Sequence, residues 1–139
     1  MTDLHDPLAA VNAVLSEVID MVQGVKEARW KVSAPDLHAE LQALFEDAAT
    51  WARLLVEQDD KAGVSPIDSM RTGTARTPPN LWPGPATLDG VRDVLDRNLD
   101  RLGSHVAEAQ SQQQDQELRD ALAEIQRGVS AHRQALSDL

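Results

Sequence analysis

Four segments of the chain carry apolar residues three or four positions apart, the spacing that puts them on one face of an α-helix. The first two stripes comprise Val11, Val14, Leu15, Val18, Val22, Val25 and Val32, and then Leu37, Leu41, Leu44, Phe45, Ala48, Ala52 and Leu55. The last two comprise Leu88, Val91, Val94, Leu95, Leu99, Leu102 and Val106, and then Leu118, Ala121, Leu122, Ile125, Val129 and Leu136. No strand pattern is found. The sequence therefore predicts an all-α four-helix bundle.

Residues that start and stop helices set the limits of these segments. Asp6 followed by Pro7 is typical of an N-cap with proline at the first helical position. Thr87 is placed to cap the third helix, and Gly63 is placed to end the second. The predicted helices cover residues about 7–32, 36–62, 87–110 and 115–137.

The segment 63–86 differs from the rest because it holds five of the seven prolines, which prevent continued helix. Helices of about 25 residues are roughly 37 Å long, a distance that a connection of this length can span. We therefore expect the third helix to run parallel to the second, with a long crossover between them and the fourth helix returning. This is the ferritin-like arrangement of a four-helix bundle. Trp82 is expected to hold the crossover against the bundle, and a flexible linker is the alternative.

Composition and charge narrow the function. A chain of 139 residues is long enough for one domain, 1–139, and too short for two. The net charge of −10 disfavours binding to nucleic acid and to anionic membranes. Because the chain has no cysteine, disulfides and thiolate chemistry are excluded. No long apolar run or basic leader is present, so we expect a cytoplasmic protein.

Polar residues interrupt the apolar stripes and are the candidates for chemistry inside the bundle. They are Arg29 in the first stripe, Asp59 in the second, Asn98 and His105 in the third, and His132 in the fourth. With a crossover, Arg29 and His132 are expected near one end of the bundle, and His38 at the edge of the same layer. Asp59 and His105 are expected near the other end, where they could form a hydrogen-bonded pair.

Each of these residues also has a purely structural interpretation. We expect Arg29 either to extend its guanidinium to solvent or to pair with a carboxylate such as Glu40 or Asp93, since an unpaired buried charge is costly. The two inner-face histidines fit core or interface positions with satisfied hydrogen bonds. Asp59 lies in the last turn of its helix, where we expect it to be exposed.

A metal site is the most specific chemistry that such a bundle can hold. Carboxylate-bridged di-iron bundles use a Glu on each of two helices and Glu-x-x-His on each of the other two. No Glu of this chain is followed by His three residues later, and His105 with Glu108 has the reverse order. Asp59 and His105 alone are too few ligands for a tight site.

The N-terminal two-thirds of the chain resembles ferritin-like bacterial proteins. It is similar to a small uncharacterised family of four-helix ferritin-like domains, and the resemblance implies the fold rather than an activity. The positions that carry it are Val11-Asn12, Asp20, Gly24, Ala28, Pro35-Asp36-Leu37, Phe45, Leu55, Gly63-Val64-Ser65-Pro66 and the segment from Gly73 to Trp82.

A more distant resemblance is to Dps, the iron-oxidising DNA-protection proteins. The matching stretches are Ala28-Arg29-Trp30-Lys31-Val32, Leu37-His38, and Glu57 with Gly63. The resemblance implies that His38 and Glu57 stand at ferroxidase ligand positions. At the other three ligand positions, Arg29 replaces a histidine, while Gln42 and Arg53 replace aspartates. The resemblance therefore implies a di-iron site that is not intact, on a chain without a basic tail for DNA.

Two hypotheses follow, from different classes. The first is a non-catalytic ferritin-like bundle without a cofactor, stress-associated or acting through protein contacts, as a homo-oligomer or with a protein partner. Trp30 and Trp51 lie off the stripe centres and are expected either to form apolar surface for that partner or to pack on their own crossover. The alternative is a metal-binding Dps- or bacterioferritin-like protein with a divergent ferroxidase or iron-binding site, for which the candidate metal ligands are His38, Glu57, Asp59 and His105. A small-ligand pocket has no positive sign in the sequence.

Overall fold

The computed structural model describes residues 7–61 and 87–139. For residues 7 and 8 it describes the backbone alone. The described residues form four helices: α1 (Pro7–Lys31), α2 (Pro35–Lys61), α3 (Leu88–Gln112) and α4 (Gln116–Ser137). No strand occurs within these ranges. The predicted all-α class and the four helices are confirmed, each bound within two residues. The crossover 63–86 with Trp82, the cap at Asp6 and the stop at Gly63 lie outside the described residues.

The contacts between helices fix the topology. The α1–α2 and α3–α4 hairpins each turn through three residues, 32–34 and 113–115. Lys61 at the end of α2 pairs with Glu117 at the start of α4, and Glu40 near the start of α2 pairs with His132 near the end of α4. Since α2 and α4 are therefore antiparallel, α2 and α3 are parallel. The chain must cross from one end of the bundle to the other between them, as the sequence predicts.

The four apolar stripes meet in one aliphatic core. Each helix packs on two neighbours: α1 lies between α2 and α3, and α4 completes the square. The largest fully buried side chains are Leu15, Leu37, Leu41, Leu44, Leu55, Leu95, Leu99, Leu102, Leu122, Ile125, Leu136 and Val11. Burying a leucine or isoleucine side chain contributes about 1.5–3 kcal/mol, so these residues dominate the stability of the fold. No helix in the described ranges is long and apolar enough to cross a membrane.

Side-chain caps begin the helices of the second hairpin. The Thr87 backbone is extended (φ −93°, ψ 159°), and its hydroxyl oxygen accepts a hydrogen bond of 3.0 Å from the Gly90 amide. The Asp115 carboxylate accepts one of 3.0 Å from the Glu117 amide. Each cap satisfies a backbone donor that the first turn of a helix leaves unpaired. The predicted cap at Thr87 is confirmed.

Candidate functional site

The most specific polar cluster in the described residues surrounds His132 of α4. The imidazole is 7% exposed and lies between two carboxylates of α2. Nδ1 is 2.7 Å from Glu40 Oε1, and Nε2 is 2.6 Å from Asp47 Oδ2. An ionised carboxylate only accepts hydrogen bonds, so a ring nitrogen that is bonded to one acts as the donor. Because Glu40 and Asp47 stand two helical turns apart, the ring joins α4 to α2 at two points.

An aromatic contact completes this cluster. The Trp51 ring, 4% exposed, meets His132 edge to face, with ring centroids 6.0 Å apart and planes at 71°. Trp51 reaches this position only because residue 128 is glycine: a Cβ there would lie 2.5 Å from Trp51 Cζ2. The expectation that Trp51 forms apolar surface is wrong, since it lies on the α2 flank that faces α4. We name Glu40, Asp47, Trp51, Gly128 and His132 the imidazole cluster.

Arg29 takes a different partner from the one expected. Its guanidinium carbon lies 5.9 Å from the centroid of the Phe45 ring, a cation–π distance, and its Nε is buried without a hydrogen-bond partner. Glu40, one of the carboxylates expected for it, is bound to His132 instead. The pairing of Arg29 with Glu40 was therefore a wrong expectation, because His132 competes for the same carboxylate.

The other end of the bundle also differs from expectation. Asp59 is fully buried rather than exposed, because it continues the buried stripe of α2 four residues after Leu55. His105 is exposed and pairs with Glu17 of α1 rather than with Asp59. The reason is that α2 and α3 lie on a diagonal of the bundle, whereas α3 packs against α1. Asn98 is half-buried on α3.

An open depression of about 660 Å³ lies between the start of α3 and the end of α4. Its polar lining is built around Arg133, whose Nε donates to Asp96 at 2.8 Å and whose Nη1 donates to Asp100 at 3.0 Å. The hydrogen bond from Arg133 holds the pKa of Asp96 below its ordinary value. At the opposite end, the hydrogen bond from Lys61 lowers the pKa of Glu117 in the same way. Both pairs are largely exposed, so they orient the helices more than they stabilise them.

The Asp96–Arg133 pair gives a pH prediction. A depressed folded-state pKa means that the pair stabilises the fold above the unfolded pKa of Asp, near 3.9, and that this contribution is lost as the pH falls through the lower folded value. We expect the Asp96 carboxyl to titrate below its usual range in the native protein, and closer to it in Arg133→Gln. An NMR pH titration of the Asp96 side chain measures both midpoints. Equal midpoints in the two proteins would contradict the assignment.

The candidate metal ligands do not converge in the described residues. His38 and Glu57 are exposed and stand nineteen positions apart on α2, about 28 Å along the helix axis. Asp59 and His105 lie on diagonal helices, and His105 is turned toward Glu17. No group of three or more His, Asp or Glu side chains able to hold a metal ion occurs within residues 9–61 and 87–139.

Comparison with solved structures places this geometry among known folds. Dps92 from Deinococcus radiodurans superposes with a TM-score of 0.82 over 95% of this chain and 84% of its own, at 17% identity. The fold is ferritin-like. Dps from Microbacterium arborescens in a high iron form shares this ferritin-like fold, with a TM-score of 0.77 and 21% identity over 98% of this chain and 95% of its own.

A third solved structure has the same ferritin-like fold. It is a dodecameric thioferritin, the bacterioferritin-related protein of Bacteroides fragilis, with a TM-score of 0.75 and 17% identity over 99% of this chain and 85% of its own. No protein-family model and no curated protein matches the sequence. At these identities the likeness establishes the ferritin-like fold, and the resemblance found in the sequence is confirmed at that level.

Part of the imidazole cluster was not predicted from the sequence. The sequence indicated His132 as an inner-face residue, but it did not indicate Glu40 and Asp47 as its partners or Gly128 as the space for Trp51. A usable signal was present, because Glu40 and Asp47 are seven residues apart on one edge of the second apolar stripe. A glycine inside a helical pattern is a second signal, since it often marks a close packing contact.

Proposed function

We propose that this chain is a non-catalytic ferritin-like bundle that works through protein contacts. The observation that carries the proposal is the separation of the buried ionisable side chains. In the described residues these are Asp59 and His132. Asp59 stands at one end of α2, whereas His132 contacts Glu40 near the other end and Asp47 at the middle of the helix. Along α2, Asp59 lies about 18 Å from the level of Asp47 and about 28 Å from that of Glu40, too far for the two buried groups to act on one ion or substrate.

The partners of the inner polar groups support the same proposal. Both nitrogens of His132 already lie within hydrogen-bonding distance of a carboxylate oxygen, at 2.7 Å from Glu40 and 2.6 Å from Asp47. Arg29 places a permanent positive charge over Phe45, where it would repel an iron cation. Trp30, at 84% exposure, instead offers a large apolar surface to a partner, and such aromatic residues are enriched at protein interfaces.

The alternative function, iron binding at a divergent site, deserves a direct test because one structural neighbour is described in a high iron form. Ferrous iron is added anaerobically to the purified protein, air is admitted, and ferric absorbance and bound metal are measured. Dps from Microbacterium arborescens is the positive control. We expect oxidation at the rate of the protein-free buffer and no retained iron.

A faster oxidation that His38→Ala or Glu57→Gln abolishes would overturn the proposal and establish the iron-dependent alternative. Oxidation that neither substitution affects would overturn it as well, and would assign the activity to other residues. The two variants replace exposed side chains, so they are expected to fold as the native protein does.

A further inference from the structure

The depression between α3 and α4 is lined by charges of both signs. Its walls come from the first three turns of α3 and the last two turns of α4. The volume of about 660 Å³ lies in the range of small-molecule sites. Its lining in the described residues includes the guanidinium groups of Arg92 and Arg133, the carboxylates of Asp93 and Asp96, and the hydroxyls of Ser130 and Ser137. Two positive and two negative side chains therefore share one small space.

Ion pairs hold both guanidinium groups in place without using all of their donors. Arg133 donates from Nε and Nη2 to Asp96, at 2.8 and 3.3 Å, and from Nη1 to Asp100 at 3.0 Å. Arg92 donates from Nη2 to Asp89 at 2.8 Å. Since a guanidinium carries five N–H groups, both arginines keep donors for an external acceptor. Their ion pairs also restrict the side chains beforehand, which lowers the entropy cost of binding.

Asp93 supplies the opposite charge. Its side chain is exposed, and within residues 9–61 and 87–139 its carboxylate forms no hydrogen bond or ion pair. The ends of the two helices add to both signs, because α3 begins and α4 ends beside the depression. A helix start carries partial positive charge and a helix end carries partial negative charge. The depression therefore offers a carboxylate acceptor next to guanidinium donors.

We propose that this depression binds a small zwitterion of the α-amino acid class, a ligand beyond the protein contacts proposed above. The ligand carboxylate accepts hydrogen bonds from Arg92 and Arg133, and the ligand ammonium donates to Asp93. Charge favours a zwitterion over an ion of one sign. An anion is repelled by a molecule of net charge −10, and a simple cation finds acceptors among all 23 acidic residues, so neither selects this depression.

The affinity is set by the openness of the site. The Arg92 side chain is 30% exposed and that of Arg133 is 40% exposed, so water screens their contacts with a ligand. The aliphatic part of each arginine offers apolar contact to the side chain of an uncharged amino acid. We therefore expect a weak complex with a dissociation constant of about 1 mM.

The first test compares a zwitterion with two analogues that each carry one of its charges. L-leucine is titrated into the protein at neutral pH, and two-dimensional NMR spectra follow the backbone amides. Isocaproate lacks the ammonium of leucine, and isoamylamine lacks the carboxylate. We expect leucine to shift the amides of residues 92–96 and 130–137 saturably, and each analogue to bind at least about tenfold more weakly. No saturable shift up to about 20 mM leucine overturns the proposal, and so does an analogue that binds as well as leucine.

The second test assigns the binding to the depression. Asp93→Asn removes the acceptor for the ammonium, and Arg92→Gln removes a donor for the carboxylate. Glu124→Gln is the control, because Glu124 is an exposed carboxylate of α4 that does not line the depression. We expect the dissociation constant for leucine to rise at least about tenfold in the first two variants and to stay unchanged in the control. Circular dichroism checks that all three remain helical.

Two outcomes of the second test contradict the site. Equal weakening by Glu124→Gln would assign the binding to overall charge, and unchanged binding in both Asp93→Asn and Arg92→Gln would place the ligand elsewhere. Either outcome overturns the proposal. The iron measurement contains no amino acid, so this binding site and the non-catalytic function fail independently.

Discussion

Replacing Gly128 with alanine is expected to lower the free energy of unfolding by about 1–3 kcal/mol, although alanine is the better helix former. The added Cβ would lie 2.5 Å from Trp51 Cζ2, 3.1 Å from Cε2 and 3.2 Å from Nε1, so it meets a rigid ring rather than the end of a flexible side chain. Trp51 must then shift, and its contact with His132 shifts with it. Urea unfolding followed by circular dichroism measures the change.

Gly103→Ala is the matched control. Gly103 is also helical, but a Cβ there meets the flexible Gln126 side chain at 3.4 Å and Val129 at 3.5 Å. We expect this substitution to leave stability unchanged or to raise it by up to about 1 kcal/mol, because alanine loses less backbone entropy than glycine. In a Trp51→Phe background the cost of Gly128→Ala should shrink. Equal effects of the two glycine substitutions in the native background would show that Trp51 does not restrict position 128.

Replacing His132 with leucine is expected to lower the free energy of unfolding by about 2–3 kcal/mol, even though leucine suits an apolar environment. The substitution leaves the Glu40 carboxylate, whose side chain is only 16% exposed, without its hydrogen-bond donor. A partly buried carboxylate without a partner costs more than the lost hydrogen bond alone. Thermal and urea unfolding at neutral pH measure the loss.

The two carboxylates that hold His132 provide the controls. The Asp47 side chain is 56% exposed and can return to water, so Asp47→Asn is expected to cost well under half as much as His132→Leu. Glu40→Gln combined with His132→Leu removes the uncompensated charge and should recover part of the loss. A His132→Leu protein as stable as the native one would mean that the imidazole cluster contributes nothing to the fold.

The helices and their topology could be predicted from the sequence because both depend on local signals. The spacing of valines and leucines is enough to define each helix, and Thr87 alone fixes the start of α3. The parallel relation of α2 and α3 follows from the length and proline content of 63–86 without knowledge of any contact. The structure confirms these predictions because apolar burial along each helix and the short hairpins leave few alternatives.

The candidate site was harder to predict from the sequence, because it depends on which flank of each helix faces which neighbouring helix. Arg29 and Asp59 were correctly placed on inner stripes, yet the carboxylate expected for Arg29 and the exposure expected for Asp59 were wrong. The centre of a stripe can be read from periodicity, whereas the partners at its edges depend on how each helix is rotated about its own axis relative to its neighbours, which the sequence of one helix does not reveal. Trp51 illustrates the same limit, since its burial depends on a glycine 77 positions away.

Side-chain pairs join the antiparallel helices α2 and α4 near both ends. They are Lys61 with Glu117 and Glu40 with His132. Within residues 9–61 and 87–139, side chains of both halves thus hold the two hairpins in this alignment. A circular permutation that exchanges the order of the halves would retain all four of these residues. In this respect the two hairpins contact each other as two separate chains of a heterodimer would.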